Sequence, residues 1–147
     1  MYNSIVVGTD GSDTAKKAVS QAADLAGSTG ARLHLVSAYQ PIPESRLRQE
    51  RKDVPDEYQW MINPREEVDS VLGEAAQEIK QAGVEVDTHS REGEPADAIL
   101  DVAEEESADL IVVGNQGMTG AKRYLLGSVP NKVSHHASSS VLIVRTT

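Results

Sequence analysis

The residues of this chain whose spacing best suits chemistry are glycines. Gly114-Asn115-Gln116-Gly117 follows an apolar run, nine positions intervene, and Gly127-Ser128 then precedes Val129, Pro130 and Val133, which read as the start of a helix. Glycines at such points let the main chain approach a ligand closely and adopt positive φ. The exposed N–H groups and dipole of the helix that follows attract an anion. Pro130 suits the first turn of that helix, where a missing N–H forfeits no intrahelical bond. Spacing alone leaves two readings open: an anion cradle, or a turn, a cap and a long connection without a ligand. Two familiar phosphate motifs are absent. A P-loop needs Gly-Lys followed by Ser or Thr, whereas Lys122 is followed by Arg123, and a dinucleotide fingerprint needs GxGxxG after the first strand, whereas Gly8 and Gly11 are spaced GxxG.

Other reactive residue types offer less. His135 and His136 are adjacent in a helical pattern, so their side chains diverge by about 100° and do not form the one-face pair of a helical zinc site. His34 and His89 fall in separate strands with no evident Asp and Ser to complete a hydrolytic triad, and Ser138-Ser139-Ser140 reads as a polar turn rather than a nucleophile elbow. Glu104-Glu105-Glu106, at a helix end, reads as a solvated face rather than a metal site, although carboxylates there oppose the helix dipole. The chain has no Cys, which excludes disulfides, thiolate zinc sites and a cysteine nucleophile and fits a reducing compartment.

The elements that must position the glycines are legible. Ser4 to Gly8 is a short β-rich run, and Gly8-Thr9-Asp10-Gly11-Ser12 has turn and cap chemistry. Ala15, Ala18, Val19, Ala22, Leu25 and Ala26 then recur at helical spacing, with a stop between Gly27 and Gly30. Leu33 to Tyr39 is a second strand. Residues 40–63 hold Pro41, Pro43, Pro55 and dense charge; we expect a mobile connection, either a functional lid or a segment hiding a short helix. Pro64 opens a second helix that Gly83 ends, Val84 to Arg91 is a third strand, and Glu94 to Glu106 a third helix. Asp109 to Gly114 and Val141 to Val144 are nearly continuous apolar runs, as strands covered on both faces require. Strands alternating with helices predict an α/β fold, a single doubly wound five-stranded parallel sheet with helices on both faces. Ligands then bind beyond the carboxyl ends of the strands, where Gly8, Tyr39 and Gly114 leave the sheet.

Bulk properties bound the function. A length of 147 residues with 39% hydrophobic content suits one domain, 1–147. Fourteen Lys and Arg against 23 Asp and Glu give a formal charge of −9, which disfavours nucleic-acid binding, and 3% aromatic content provides no base-stacking platform. No apolar run approaches the roughly 20 residues that span a bilayer, and no signal-like segment opens the chain. We therefore expect a cytoplasmic protein with no membrane partner.

On these residues the chain closely resembles the universal stress protein (UspA-like) family, whose nucleotide-binding members carry glycine, two residues, glycine, nine residues, glycine, then Ser or Thr. Gly114, Gly117, Gly127 and Ser128 match, and the resemblance extends through Val6 to Ser12, Leu125 to Val129 and Val141 to Val144. It implies a Rossmann-like fold of the adenine nucleotide alpha-hydrolase type. It implies that N–H groups around Gly117, Gly127, Ser128 and Val129 hold phosphates, with the Ser128 hydroxyl adding a bond or assisting a divalent cation such as Mg beside ATP. Val113 and Gly114 would lie along the ribose, and Gly8, Thr9 and Asp10 beside the adenosine, with Asp10 as the family's acidic residue. Ala38 would offer main-chain groups to the adenine edge. Asp10 also fits a helix N-cap. One departure is Gln116, where many members carry a basic or His residue; it implies weaker phosphate affinity, and Lys122 and Arg123 are as readily solvated as compensating.

The resemblance thus implies an adenine-nucleotide-binding stress-response module that binds ATP and acts through a downstream protein partner. Cyclic AMP is an alternative ligand, since fewer charges suit Gln116. A weak ATP hydrolase is a second class, but nothing in the loop clearly supplies both a positioned water and charge stabilisation. The Gly8-Thr9-Asp10-Gly11-Ser12 turn also lacks the paired glycines of adenylating relatives. A nucleotide-free assembly protein is a third. The family resemblance further implies a homodimer, for which the apolar edge Val141 to Val144 provides a physical route.

Overall fold

Ile5, Val6 and Val7 are consecutive and each 0% exposed, so the strand that carries them needs cover on both faces. The computed structural model, which describes residues 2–40, 64–115 and 127–146, supplies that cover. In chain order the elements are β1 (Ser4–Gly8), α1 (Asp13–Thr29), β2 (Arg32–Tyr39), α2 (Pro64–Gln81), β3 (Val86–Glu92), α3 (Pro95–Glu105), β4 (Leu110–Gly114), α4 (Ser128–His136) and β5 (Ser140–Val144). The strands form one parallel sheet in the order β3-β2-β1-β4-β5. The expected doubly wound α/β architecture is borne out. Residues 41–63 of the predicted connection and residues 116–126 of the glycine loop lie outside the described residues.

Side chains alternate across the sheet and divide the core in two. Ile5, Val7, Leu33, Leu35, Leu110 and Val112 pack against α1 and α2 through Ala22, Leu72 and Ile79. Val6, Val36, Ile111 and Val113 face the opposite way, toward Ile99 and Val102 of α3 and Val129 and Val133 of α4. Period-two alternation in strands with both faces covered accounts for the unbroken apolar runs. β3 and β5 are the edges. β3 accordingly carries exposed Asp87 and Thr88, and Ile143 of β5 is 38% exposed.

Helix ends follow the local chemistry. The Ser12 hydroxyl accepts from the Ala15 N–H at 3.2 Å and caps α1. Gly30, at φ 72°, closes it by donating to the Ala26 carbonyl. β3 starts two residues later than expected because Val84 still belongs to the turn after α2, its N–H directed at the Ile79 carbonyl at 3.4 Å. Beyond β4, Asn115 joins three segments. Its N–H donates to the Val144 carbonyl at 2.8 Å and its own carbonyl accepts from the Gly127 N–H at 2.9 Å. Its Oδ1 accepts from the Thr146 N–H at 2.7 Å and the Thr146 hydroxyl at 3.0 Å.

Two stability measurements test this account. Gly11 and Gly30 both hold positive φ, but a Cβ at Gly11 would meet Val71 Cγ1 at 2.9 Å whereas one at Gly30 meets nothing within 4 Å. In chemical denaturation Gly30→Ala is expected to cost about 1–2 kcal/mol from the left-handed backbone alone. Gly11→Ala is expected to cost at least about 1 kcal/mol more, from overpacking; equal losses would contradict the contact. Asn115→Ala strands the buried Thr146 N–H and should cost about 1–3 kcal/mol in urea unfolding. Asn115→Asp, which keeps the acceptor, should recover most of that loss.

Candidate functional site

Pairing between β1 and β4 runs from Ile5↔Leu110 to Val7↔Val112 and stops there, although β4 continues to Gly114. The strands are neighbours, yet the chain leaves β1 into α1 on one face and β4 into α4 on the other. This reversal opens a crevice at the carboxyl edge of the sheet, the usual place for a ligand in such folds. Residues singled out by sequence stand at the ends of β1, β2 and β4 and at the start of α4, around this edge.

On the β1 side the turn is held by its own side chains. Thr9, 3% exposed, donates its N–H to the Val36 carbonyl at 2.9 Å and accepts at Oγ1 from the Gly11 N–H at 3.1 Å. Asp10 is exposed, and its Oδ1 accepts from the Ser12 N–H at 2.9 Å. The cap of α1 is thus Ser12 rather than Asp10, and Asp10 shapes the turn with one oxygen while its second makes no bond among the described residues. Gly8 is buried at the end of β1.

The β2 side presents main chain. The Val36 carbonyl is used by β1 and the Tyr39 carbonyl by Gly93 of the β3 side, at 2.8 Å. Main-chain groups alternate in direction along a strand, so the N–H and C=O of Ala38 project to the β1 side, past the point where β1 has ended. They form a donor–acceptor pair at the crevice. The same alternation applies at β4, where Asn115 points to β5, so Gly114 points back toward β1. Val113, buried behind it, is 3% exposed and fixes that strand end against the α3–α4 side of the core.

The third wall is the amino terminus of α4. The bond from Gly127 N–H to the Asn115 carbonyl brings the first and last glycines of the constellation together. It also occupies the Gly127 N–H. Pro130 has none to offer, and the Asn131 N–H already bonds the Gly127 carbonyl at 3.0 Å. Ser128 and Val129 therefore carry the helix-start N–H groups that have no intrahelical acceptor, joined by the exposed Ser128 hydroxyl and the positive end of the dipole. Gly117 lies outside the described residues, as do Gln116, Lys122 and Arg123. Sequence reasoning missed the role of Asn115; its signal was a short amide between a strand and a glycine, a residue type that bonds the main chain in turns.

Comparison with known proteins bears on the family and the fold. The sequence model of the Universal stress protein family matches residues 1–145. Universal stress protein Rv1636 of Mycobacterium tuberculosis is 40% identical over 147 residues, covering 99% of this chain and 98% of that protein. A universal stress protein solved in complex with cAMP superposes with a TM-score of 0.72 at 35% identity, covering 99% of this chain and 98% of the other. The universal stress protein from Archaeoglobus fulgidus in complex with dAMP gives a TM-score of 0.67 at 27% identity over 98% of each chain. With the fold, the split sheet and the matched length in agreement, the chain belongs to the universal stress protein family.

Proposed function

We propose that this protein is an adenine-nucleotide-binding signalling module of the cytoplasm, with ATP seated across the β1–β4 crevice. The observation that supports the reading is the Asn115–Gly127 bond, which joins the end of β4 to the start of α4, where the Ser128 and Val129 N–H groups have no acceptor among the described residues. Phosphates rest on those N–H groups and on the glycine loop through Gly117, the ribose lies along Val113 and Gly114, and the adenine edge pairs with the Ala38 main chain. Gly8, Thr9 and Asp10 flank the adenosine. A Mg ion bound with ATP would take the Ser128 hydroxyl as a ligand. Cyclic AMP is the second reading, favoured by the similar protein solved in complex with cAMP. Neither ligand requires turnover, and the module acts by changing its contacts with a downstream protein.

Ser128→Pro is the discriminating variant. Proline is tolerated at the first helical position, and Gly127, at φ −62° and ψ 163°, already has the backbone that precedes proline. The substitution removes both the N–H and the hydroxyl while keeping α4. Calorimetric titration of nucleotide-stripped protein should show ATP binding, and Ser128→Pro should weaken it about 10- to 100-fold, as expected for a lost charge-assisted bond. Its melting temperature should change little. Tighter binding of cAMP than of ATP would select the second reading, and no binding of either would refute the module.

We further propose a homodimer formed through β5, where the partly exposed Val141 and Leu142 and exposed Ile143 lie at a sheet edge. Pairing of two such edges about a two-fold axis covers both. Sedimentation at micromolar concentration should give twice the mass of one chain; a monomer there would exclude the pairing.

A further inference from the structure

We propose that His34, His89 and Glu106 form a divalent transition-metal site of the zinc class, on the α3-covered side of the paired strands β2 and β3. The residues are far apart in sequence and meet because β2 and β3 are paired and α3 ends above them. His34 Nδ1 stands 3.0 Å from His89 Nε2, with ring centroids 5.2 Å apart and planes inclined by 47°. A Glu106 carboxylate oxygen completes the set, with all three ligand atoms within 4.8 Å of one another. Zinc bonds imidazole nitrogen at about 2.0–2.1 Å, so two such ligands of a tetrahedron lie about 3.3–3.4 Å apart. A metal would replace the hydrogen bond between the two ring nitrogens, which would widen by a few tenths of an ångström.

The surroundings favour a cation. Glu106 is the C-cap of α3, and the last turn of that helix contains no basic residue. Its carbonyl-bearing, negative end and Glu104, Glu105 and Glu106 leave acidic charge where a cation is stabilising. Arg91 engages Glu105 at 2.6 Å, and Arg32 engages Asp87 at 2.8 Å and Glu85 at 3.1 Å, so the neighbouring cations are bound to carboxylates other than Glu106. Asp87, 3.9 Å from His34 Nδ1, stands as an outer carboxylate. His34 is 3% exposed at its side chain while Glu106 is exposed, so the metal would enter from the Glu106 side and keep water in its fourth position. The acidic run at the end of α3, read from sequence as a solvated face, thereby contributes one ligand. Bound metal would fasten the edge strand β3 and the end of α3 to β2.

The test uses untagged, chelator-treated full-length protein. Titration with Co²⁺ should give one equivalent per chain with the visible absorption of a tetrahedral site, and Zn²⁺ should displace it and raise the melting temperature. His89→Gln should abolish the absorption, and Glu106→Gln, an exposed and conservative change, should weaken affinity at least 10-fold. His135→Ala with His136→Ala should leave binding intact, as should Ser128→Pro at the start of α4. Absence of stoichiometric binding at tens of micromolar metal overturns the proposal, and so does affinity unchanged in both His89→Gln and Glu106→Gln.

Discussion

The pairing of β1 with β4 stops at Val7 and Val112, and the carboxyl edge of the molecule is organised around that stop. Because β1 is buried on both faces, its neighbours cannot both return on the same side; one crossover must climb each face. The gap between them is a consequence of covering Ile5, Val6 and Val7, not a separate invention. It leaves the main-chain groups of Ala38 and Gly114 pointing past the end of β1, without a strand partner there among the described residues. Polar main chain at the rim of a hydrophobic sheet calls for a hydrogen-bonding partner.

A strongly acidic chain with an anion cradle needs a local source of positive potential. In the proposed site the part of that source that lies among the described residues is backbone, at the start of α4. The dipole of α4 and the N–H groups of Ser128 and Val129 act over a single turn, within the reach at which a helix terminus is effective. Such a site discriminates by shape and donor direction, so a protein with a net charge of −9 can hold a phosphate without attracting polyanions in general.

Much of the fold was legible because its signals are local. Apolar runs at 5–7, 110–113 and 141–144 mark strands, and Ser12 and Gly30 mark the ends of α1, all through short-range chemistry. The start of β3 was misplaced because Val84 is apolar yet packs as part of a helix-terminal turn. For the site, Gly114, Gly127 and Ser128 could be grouped by spacing, but Asn115 could not be assigned a role, since its partner Thr146 lies 31 residues away and is reached only when β5 docks on β4. His34 and His89, separated by 55 positions, become neighbours only through the register that pairs Val36 with His89. Interactions that depend on strand register have no counterpart in periodicity, and these were the ones the sequence concealed.

The bonds from Asn115 to Val144 and Thr146 have a mechanical meaning. Lys17 of α1 donates to the Thr146 carbonyl at 3.0 Å, so the tail after β5 is gripped from both α1 and the root of the glycine loop. Edge strand, first helix and loop root are thus joined at one point: Asn115 bonds Val144, Thr146 and Gly127, and Lys17 bonds the Thr146 carbonyl, so the loop root is anchored to the sheet edge rather than to β4 alone.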